Sequence, residues 1–240
     1  MDLPEAGETG VTRRVMDSSA RLMVLWAPDW PVAAHAKADR IPSSQPIALV
    51  EKGMVFACSP AARTEGVRRG MRQREAQGRC PGLRMLRYDP ALDARAFEPV
   101  LSALEASMPG LHPVRPGTVA VRARGPARYY GGEQAAALTV LGIVAGLDVE
   151  RARVGIADGL FAAERAARWV VADPVTIGPP DAQGAFLAGL PITLLEDPEL
   201  SSLLPRLGIR TLGGFAALAE ADVAARFGPM GARLHALAGG

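Results

Sequence analysis

Between residues 20 and 178 the hydrophobic period of the chain switches repeatedly between 2 and 3.6, which restricts this stretch to a mixture of short strands and helices. Residues 21–27 form an apolar run of strand length, closed by Pro28. A helix is expected over about 32–38, then two strands over 46–50 and 55–58, split by Lys52-Gly53 as a hairpin turn. Ser59-Pro60 reads as an N-cap followed by a first helical residue, opening a short helix that ends near Gly66. The pattern continues with a helix over 72–78, a strand over 83–86 and a long helix over 90–108. That long helix keeps Phe97, Val100, Leu101 and Leu104 on one face. Strands over 118–121, 153–156 and 175–177 alternate with helices over 133–145 and 160–171.

At Pro179-Pro180 the pattern changes to short helices punctuated by glycine, with Leu203, Leu207, Phe215, Leu218, Phe227, Leu234 and Leu237 as their expected core. The fold class expected is therefore α+β, followed by a small all-helical domain at about 179–240. The first twenty residues are polar and aperiodic and read as a flexible leader. No stretch approaches the roughly 20 apolar residues of a membrane span, and the N-terminus lacks a signal-peptide pattern. Cys58 and Cys80 have no histidine at ligand spacing, so neither a disulfide framework, a zinc site nor another cofactor is expected. The expectation is a cytoplasmic protein.

Net charge is only +2, yet its distribution is uneven. Lys37 and Lys52 are the only lysines among 27 basic residues, a bias that GC-rich codon usage explains. Codon usage does not explain position. Residues 61–87 hold Arg63, Arg68, Arg69, Arg72, Arg74, Arg79, Arg84 and Arg87 against Glu65 and Glu75, a net +6 in 27 residues. Such concentration is the footprint of a phosphate-binding face, set against the plainer reading of a solvated surface. Near the C-terminus, Gly228 and Gly231 stand three apart at an expected helix start, with Arg233 beyond them. Glycines let a backbone approach a phosphate, and helix N-terminal amides favour an anion there. Leu207-Gly208-Ile209-Arg210-Thr211-Leu212 has the form of the preceding turn, with Thr211 as an N-cap, so the tail resembles half of a helix-hairpin-helix.

In order, these pieces resemble Y-family lesion-bypass DNA polymerases from about residue 21 onward. Residues 23–30, Met-Val-Leu-Trp-Ala-Pro-Asp-Trp, look like the first palm strand and its catalytic turn. Ala62-Arg63-Thr64-Glu65-Gly66-Val67-Arg68-Arg69-Gly70-Met71 is similar to the fingers motif, Val154-Gly155-Ile156 to the palm strand-to-helix step, and Leu207-Gly208-Ile209-Arg210-Thr211 to the thumb. The resemblance implies a palm at 21–28 and 88–178, a fingers insertion at 29–87 and a small helical thumb at 179–240, with the little finger and C-terminal tail lying outside this chain. It also implies three adjacent strands, at 21–27, 118–123 and 153–157.

The departures bear on catalysis. The family's metal carboxylates fall at Pro28, Gly117 and Thr118, and no acid occurs between Glu105 and Glu133. Pro60 stands where a tyrosine is expected, the triphosphate-binding arginine is kept as Arg63, and the phosphate-binding lysine near the end of the 160–171 helix is replaced by an apolar residue. Two divalent ions normally stabilise the attacking and leaving oxygens, and they are anchored by carboxylates. The combination resembles the ImuB branch: non-catalytic homologues in damage-induced mutagenesis. That branch implies nucleoid association, with DNA, the sliding clamp, an ImuA-type protein and an error-prone C-family polymerase as partners. DNA or phosphate contact is expected at Arg63, Arg68, Arg69, Arg72, Gly228, Gly231 and Arg233, with no metal ligands. The alternatives are an active translesion polymerase using displaced acids such as Asp29 and Asp158, and a general nucleic-acid-binding module.

Overall fold

The computed structural model describes residues 20–149, 151–169, 173–195 and 197–240. The expected leader, apart from residue 20, and the end of the 160–171 helix lie outside them.

Two sheets organise the chain. The larger has the order β5-β6-β1-β7-β8, from β1 (Arg21–Trp26), β5 (His112–Arg115), β6 (Thr118–Arg122), β7 (Arg153–Asp158) and β8 (Val175–Ile177). β1 lies at its centre beside β6 and β7, the adjacency that the family resemblance implies, and is antiparallel to both, while β8 runs parallel to β7. The smaller sheet, β3-β2-β4, joins β2 (Ile47–Glu51), β3 (Met54–Cys58) and β4 (Arg84–Arg87). Its β2–β3 hairpin turns at Lys52 and Gly53 with φ of 50° and 77°, the doubly positive geometry of a type I′ turn. β4 returns parallel to β2. The crossover passes through α2 (Pro60–Thr64) and α3 (Gln73–Arg79), which carry the basic insert.

Strand alternation assigns β1 to two cores. Met23, Leu25 and Ala27 face α4 (Pro90–Ser107) and α6 (Glu133–Ala145), where Phe97, Val100, Leu104, Ala137 and Val140 are buried. Leu22 and Val24 face the other way, toward α7 (Leu160–Arg168) and the C-terminal helices. Fully burying one aliphatic side chain contributes roughly 1.5–3 kcal/mol, so a strand buried on both faces anchors the sheet. α1 (Trp30–Ala38) bridges the two sheets. Its Trp30 and Ala34 belong to the first core, with Trp30 edge-on to Phe97 at 4.9 Å, while Val32 packs on Ile47 and Leu49.

The C-terminal segment is helical: α8 (Gln183–Ala188), a 3-10 turn (Ile192–Leu195), α9 (Pro198–Arg206), α10 (Leu212–Ala216) and α11 (Glu220–Gly239). The expected N-cap is present, with the Thr211 side chain accepting from the Gly214 amide at 3.1 Å. Phe215 lies in the core with Leu218, Phe227 and Leu234 packed against it, while Leu203 and Leu237 are only half-buried. Leu207 is 49% exposed at the end of α9, and Leu204, one helical turn into the interior, is buried in its place. This core is continuous with α7 and β1.

Two elements were not legible in the sequence. α5 (Arg124–Tyr130) contains Gly125 and Pro126, and β5 contains Pro113. Both read as loop because proline and glycine are the usual breakers. Proline is tolerated in β5 because that strand lies at the sheet edge.

Candidate functional site

The Ala27 amide donates to the Gly117 carbonyl at 2.8 Å, and Trp26 pairs with Thr118. The end of β1 therefore lies beside the β5–β6 turn, and Pro28, Gly117 and Thr118 converge on one corner of the larger sheet. Gly117 adopts φ +81°, and a Cβ there would come within 2.4 Å of Trp30 Cβ and 2.9 Å of its Cγ. The indole fills the space that a side chain at 117 would need.

Asp29 does not continue the strand. It sits in the left-handed region, φ 56° and ψ 24°, at the start of α1, and its carboxylate leaves the helix amides alone. Both oxygens instead accept Nη hydrogens of Arg63, each at 2.7 Å, and Arg151 lies 4.0 Å away. Arg63 also donates to the Cys58 carbonyl at 2.7 Å. The hydrogen bonds to Asp29 raise the Arg63 pKa above its ordinary value.

A second charged cluster covers the adjoining face. Arg115, Thr118, Trp26 and Arg153 form one row across β5, β6, β1 and β7. Above it, Glu164 accepts from Arg115 at 3.1 and 3.3 Å and from Arg165 at 3.0 Å. Arg165 also donates to the Leu194 carbonyl, tying α7 to the C-terminal helices. Arg168 lies over the Trp26 ring at 5.0 Å. Burial, reinforced by Arg165 and Arg115, pushes its pKa down to about 9. Two guanidinium groups thus donate to the Glu164 carboxylate, with that of Arg168 close by. Sequence reasoning missed this cluster; the one visible signal was Glu164, Arg165 and Arg168 in an alanine-rich helix.

Arg68, Arg69 and Arg72 are exposed on the segment that runs alongside β3, where Gly70 and Met71 bond to Val55. Arg68 donates to the carbonyls of Arg63 and Val67 at 2.6 and 2.9 Å, Arg69 stands 5.3 Å from the Phe56 ring, and Arg72 forms an isolated bridge with Met54. In the tail, Gly228 breaks α11 with φ 66° and ψ −167°, so a fresh helix begins at Pro229 with Arg233 exposed on it. Gly231 has another explanation than phosphate approach. It is buried, and a Cβ there would come within 2.3 Å of Phe227 Cβ, so helix packing alone requires glycine.

Comparison with known proteins gives this geometry a context. The impB/mucB/samB (IMS) family profile matches residues 30–168, more than half of the chain. The chain belongs to the impB/mucB/samB family. It is 31% identical over 160 residues to Protein ImuB of Caulobacter vibrioides (strain NA1000 / CB15N), covering 66% of this chain and 34% of that protein. It is 28% identical over 194 residues to DNA polymerase IV of Pseudomonas aeruginosa (strain UCBPP-PA14), covering 79% of this chain and 55% of that one. Among solved structures, DinB from Sulfolobus solfataricus superposes with a TM-score of 0.73 at 16% identity, over 91% of this chain and 66% of that chain. At that identity the likeness establishes the Y-family polymerase fold. The chain spans about a third of the ImuB protein and about half of the DNA polymerase IV that it matches.

In this impB/mucB/samB member, the corner does not suit the pair of divalent ions that the polymerase fold implies. Pro28 and Gly117 supply no side-chain oxygen, and Thr118 offers a neutral hydroxyl on a residue only 2% exposed. Two acids of the adjoining elements, Asp29 and Glu164, are each held by arginines. Among the described residues, no three His, Cys, Asp or Glu side chains are grouped so as to hold a metal ion.

Proposed function

We propose that this chain is the polymerase-like part of a non-catalytic adaptor in bacterial DNA-damage tolerance and induced mutagenesis, acting on DNA at the nucleoid. The observation that carries the reading is the corner at Pro28, Gly117 and Thr118, where arginine-held acids replace a carboxylate set. The larger sheet with its helices serves as palm (21–28 and 88–178), the basic insert and smaller sheet as fingers (29–87), and the C-terminal helices as thumb (179–240). DNA phosphates contact Arg68, Arg69 and Arg72 on the fingers, together with Arg63, and the Gly228 helix start with Arg233 on the thumb. The 31% identity to an ImuB protein supports the adaptor role. Its partners on this reading are the sliding clamp, an ImuA-type protein and an error-prone C-family polymerase. The similarity to DNA polymerase IV favours a second reading, an active translesion polymerase.

One pair of measurements separates these. On primer–template DNA, templated extension with Mg²⁺ or Mn²⁺ is expected to stay at background, because Mg²⁺ sites are built from carboxylates and phosphates. Binding to the same DNA should weaken with salt, and Arg68→Glu with Arg69→Glu should lower the logarithmic slope by about 0.9 per lost phosphate contact. Extension above background returns the chain to the polymerases. An affinity and slope unchanged by the charge reversals would make the basic face ordinary solvated surface.

A further inference from the structure

The smaller sheet has one covered edge and one open edge. Outside β3, the Val55 amide donates to the Met71 carbonyl and the Gly70 amide to the Val55 carbonyl, each at 2.8 Å, so the chain itself covers that side. The other edge is β4, paired with β2 alone among the described residues. The Arg84 amide donates to the Pro46 carbonyl at 2.8 Å and the Tyr88 amide to the Val50 carbonyl at 3.0 Å. Backbone groups alternate in direction along a strand, so Arg84, Leu86 and Tyr88 bond toward β2. The N–H and C=O groups of Met85 and Arg87 therefore point outward, and no other described segment bonds to them. Exposed Arg84 and Arg87 flank the half-buried Met85 and Leu86, which pack into different cores on the two faces of the sheet. Among the described residues, neither arginine belongs to a salt bridge.

An open edge is a template for another strand, and the side chains along it select which. Antiparallel pairing of two copies through these groups sets Arg84 or Arg87 opposite or diagonal to its own counterpart in every register, and facing like charges destabilise a strand pair. A nucleic acid would neutralise the guanidinium groups but leave the outward backbone row unpaired. An acidic strand satisfies both. We propose that the edge of β4 takes up an extended acidic segment of a partner protein as a fourth strand of this three-stranded sheet. Laid antiparallel, the segment reads acid, apolar, apolar, acid against Arg87, Leu86, Met85 and Arg84. Its apolar pair extends the two small cores, and its acids face the two arginines. The arginines assigned to DNA at positions 68, 69 and 72 lie along the opposite edge, so both edges can be occupied together. The inference rests on the β4 edge alone and holds whether or not the chain extends primers.

A fluorescent peptide with Glu-Val-Val-Glu at its centre tests this on the full chain, by anisotropy and by residue-resolved amide hydrogen exchange. Binding should saturate and should slow exchange at Met85 and Arg87, the amides that face away from β2. A peptide with Lys-Val-Val-Lys at its centre should bind about tenfold more weakly or worse, because two favourable cross-strand pairs become two repulsions. Arg84→Glu with Arg87→Glu should reverse that preference; both side chains are exposed, so the change leaves the core untouched. Arg84→Gln with Arg87→Gln, which should abolish the preference, supplies the charge test if the reversal impairs folding. The proposal is overturned if the acidic peptide does not saturate, or if it binds with exchange at Met85 and Arg87 unchanged. A preference for the acidic peptide that survives the charge reversal overturns it as well. So does a single-stranded oligonucleotide that binds through Arg84 and Arg87 where the peptide does not, which would assign these cations to nucleic acid.

Discussion

Replacing Gly155 with alanine probes how closely the larger sheet and α7 approach one another. Gly155 lies in the middle of β7, opposite Val24 of β1. A Cβ built on it would sit 2.2 Å from both the Ala163 carbonyl oxygen and the Ala167 nitrogen, and 2.8 Å from the Ala166 carbonyl carbon. Ordinary contact begins at 3.4 Å, so strand and helix would have to separate by about 1 Å. All three atoms are backbone, and none can swing aside as a side-chain end could. The helix cannot retreat either, because Ala162, Ala163, Ala166 and Ala167 are fully buried between the sheet and the C-terminal helices. Overpacking of this kind costs about 1–3 kcal/mol and sometimes more. With rigid backbone on both sides, the expected loss is about 3 kcal/mol. For a domain with a urea m-value near 2–3 kcal/mol per molar, the unfolding midpoint falls by about 1–1.5 M. Equilibrium urea denaturation followed by circular dichroism reads this directly. A midpoint within about 0.2 M of the parent, at unchanged m, would refute the close-approach account of this glycine.

Glu164→Gln should destabilise the chain by about 3 kcal/mol, because it removes the charge of a nearly buried carboxylate to which Arg115 and the buried Arg165 both donate. A loss below about 1 kcal/mol in the same denaturation assay would mean that the cluster is already solvated. Burial and the neighbouring Asp93 push the Tyr88 pKa from 10.0 up to about 12, and its hydroxyl donates to Asp93 at 3.1 Å. The unfolded chain therefore releases this proton first, so the contribution is complete below pH 10.0 and is lost as pH rises toward about 12. Tyr88→Phe should flatten that part of the alkaline stability profile, and subtracting its phenolate titration from the parent's should isolate a group ionising near pH 12. A Tyr88 phenol ionising near pH 10.0 would contradict the assignment.

Much of the fold was legible because local signals and tertiary demands agree. The bounds of α6 and β8 match the expectation from sequence, and Ser59 and Thr211 cap the helices their chemistry suggests. The site was legible only as positions, not as partnerships. Arg63 reads from sequence as one arginine of a basic stretch, and Asp29 as a displaced acid. That each spends its charge on the other depends on a fold that brings together residues 34 apart. Arg115 and Glu164 are 49 apart and equally silent. Gly231 marks the opposite difficulty: a glycine spaced for phosphate contact is required by the Phe227 side chain.

The contact between Gly117 and Trp30 makes an acid hard to place at this corner. An aspartate at 117 would need its Cβ 2.4 Å from that of Trp30, on a backbone held at φ +81°. Shrinking Trp30 first would remove the ring that packs on Phe97 at 4.9 Å and leave a void in the core, a change that costs about 3–5 kcal/mol in typical cases. Either order passes through a poorly folded intermediate sequence. An acid at this corner would therefore need at least two substitutions together.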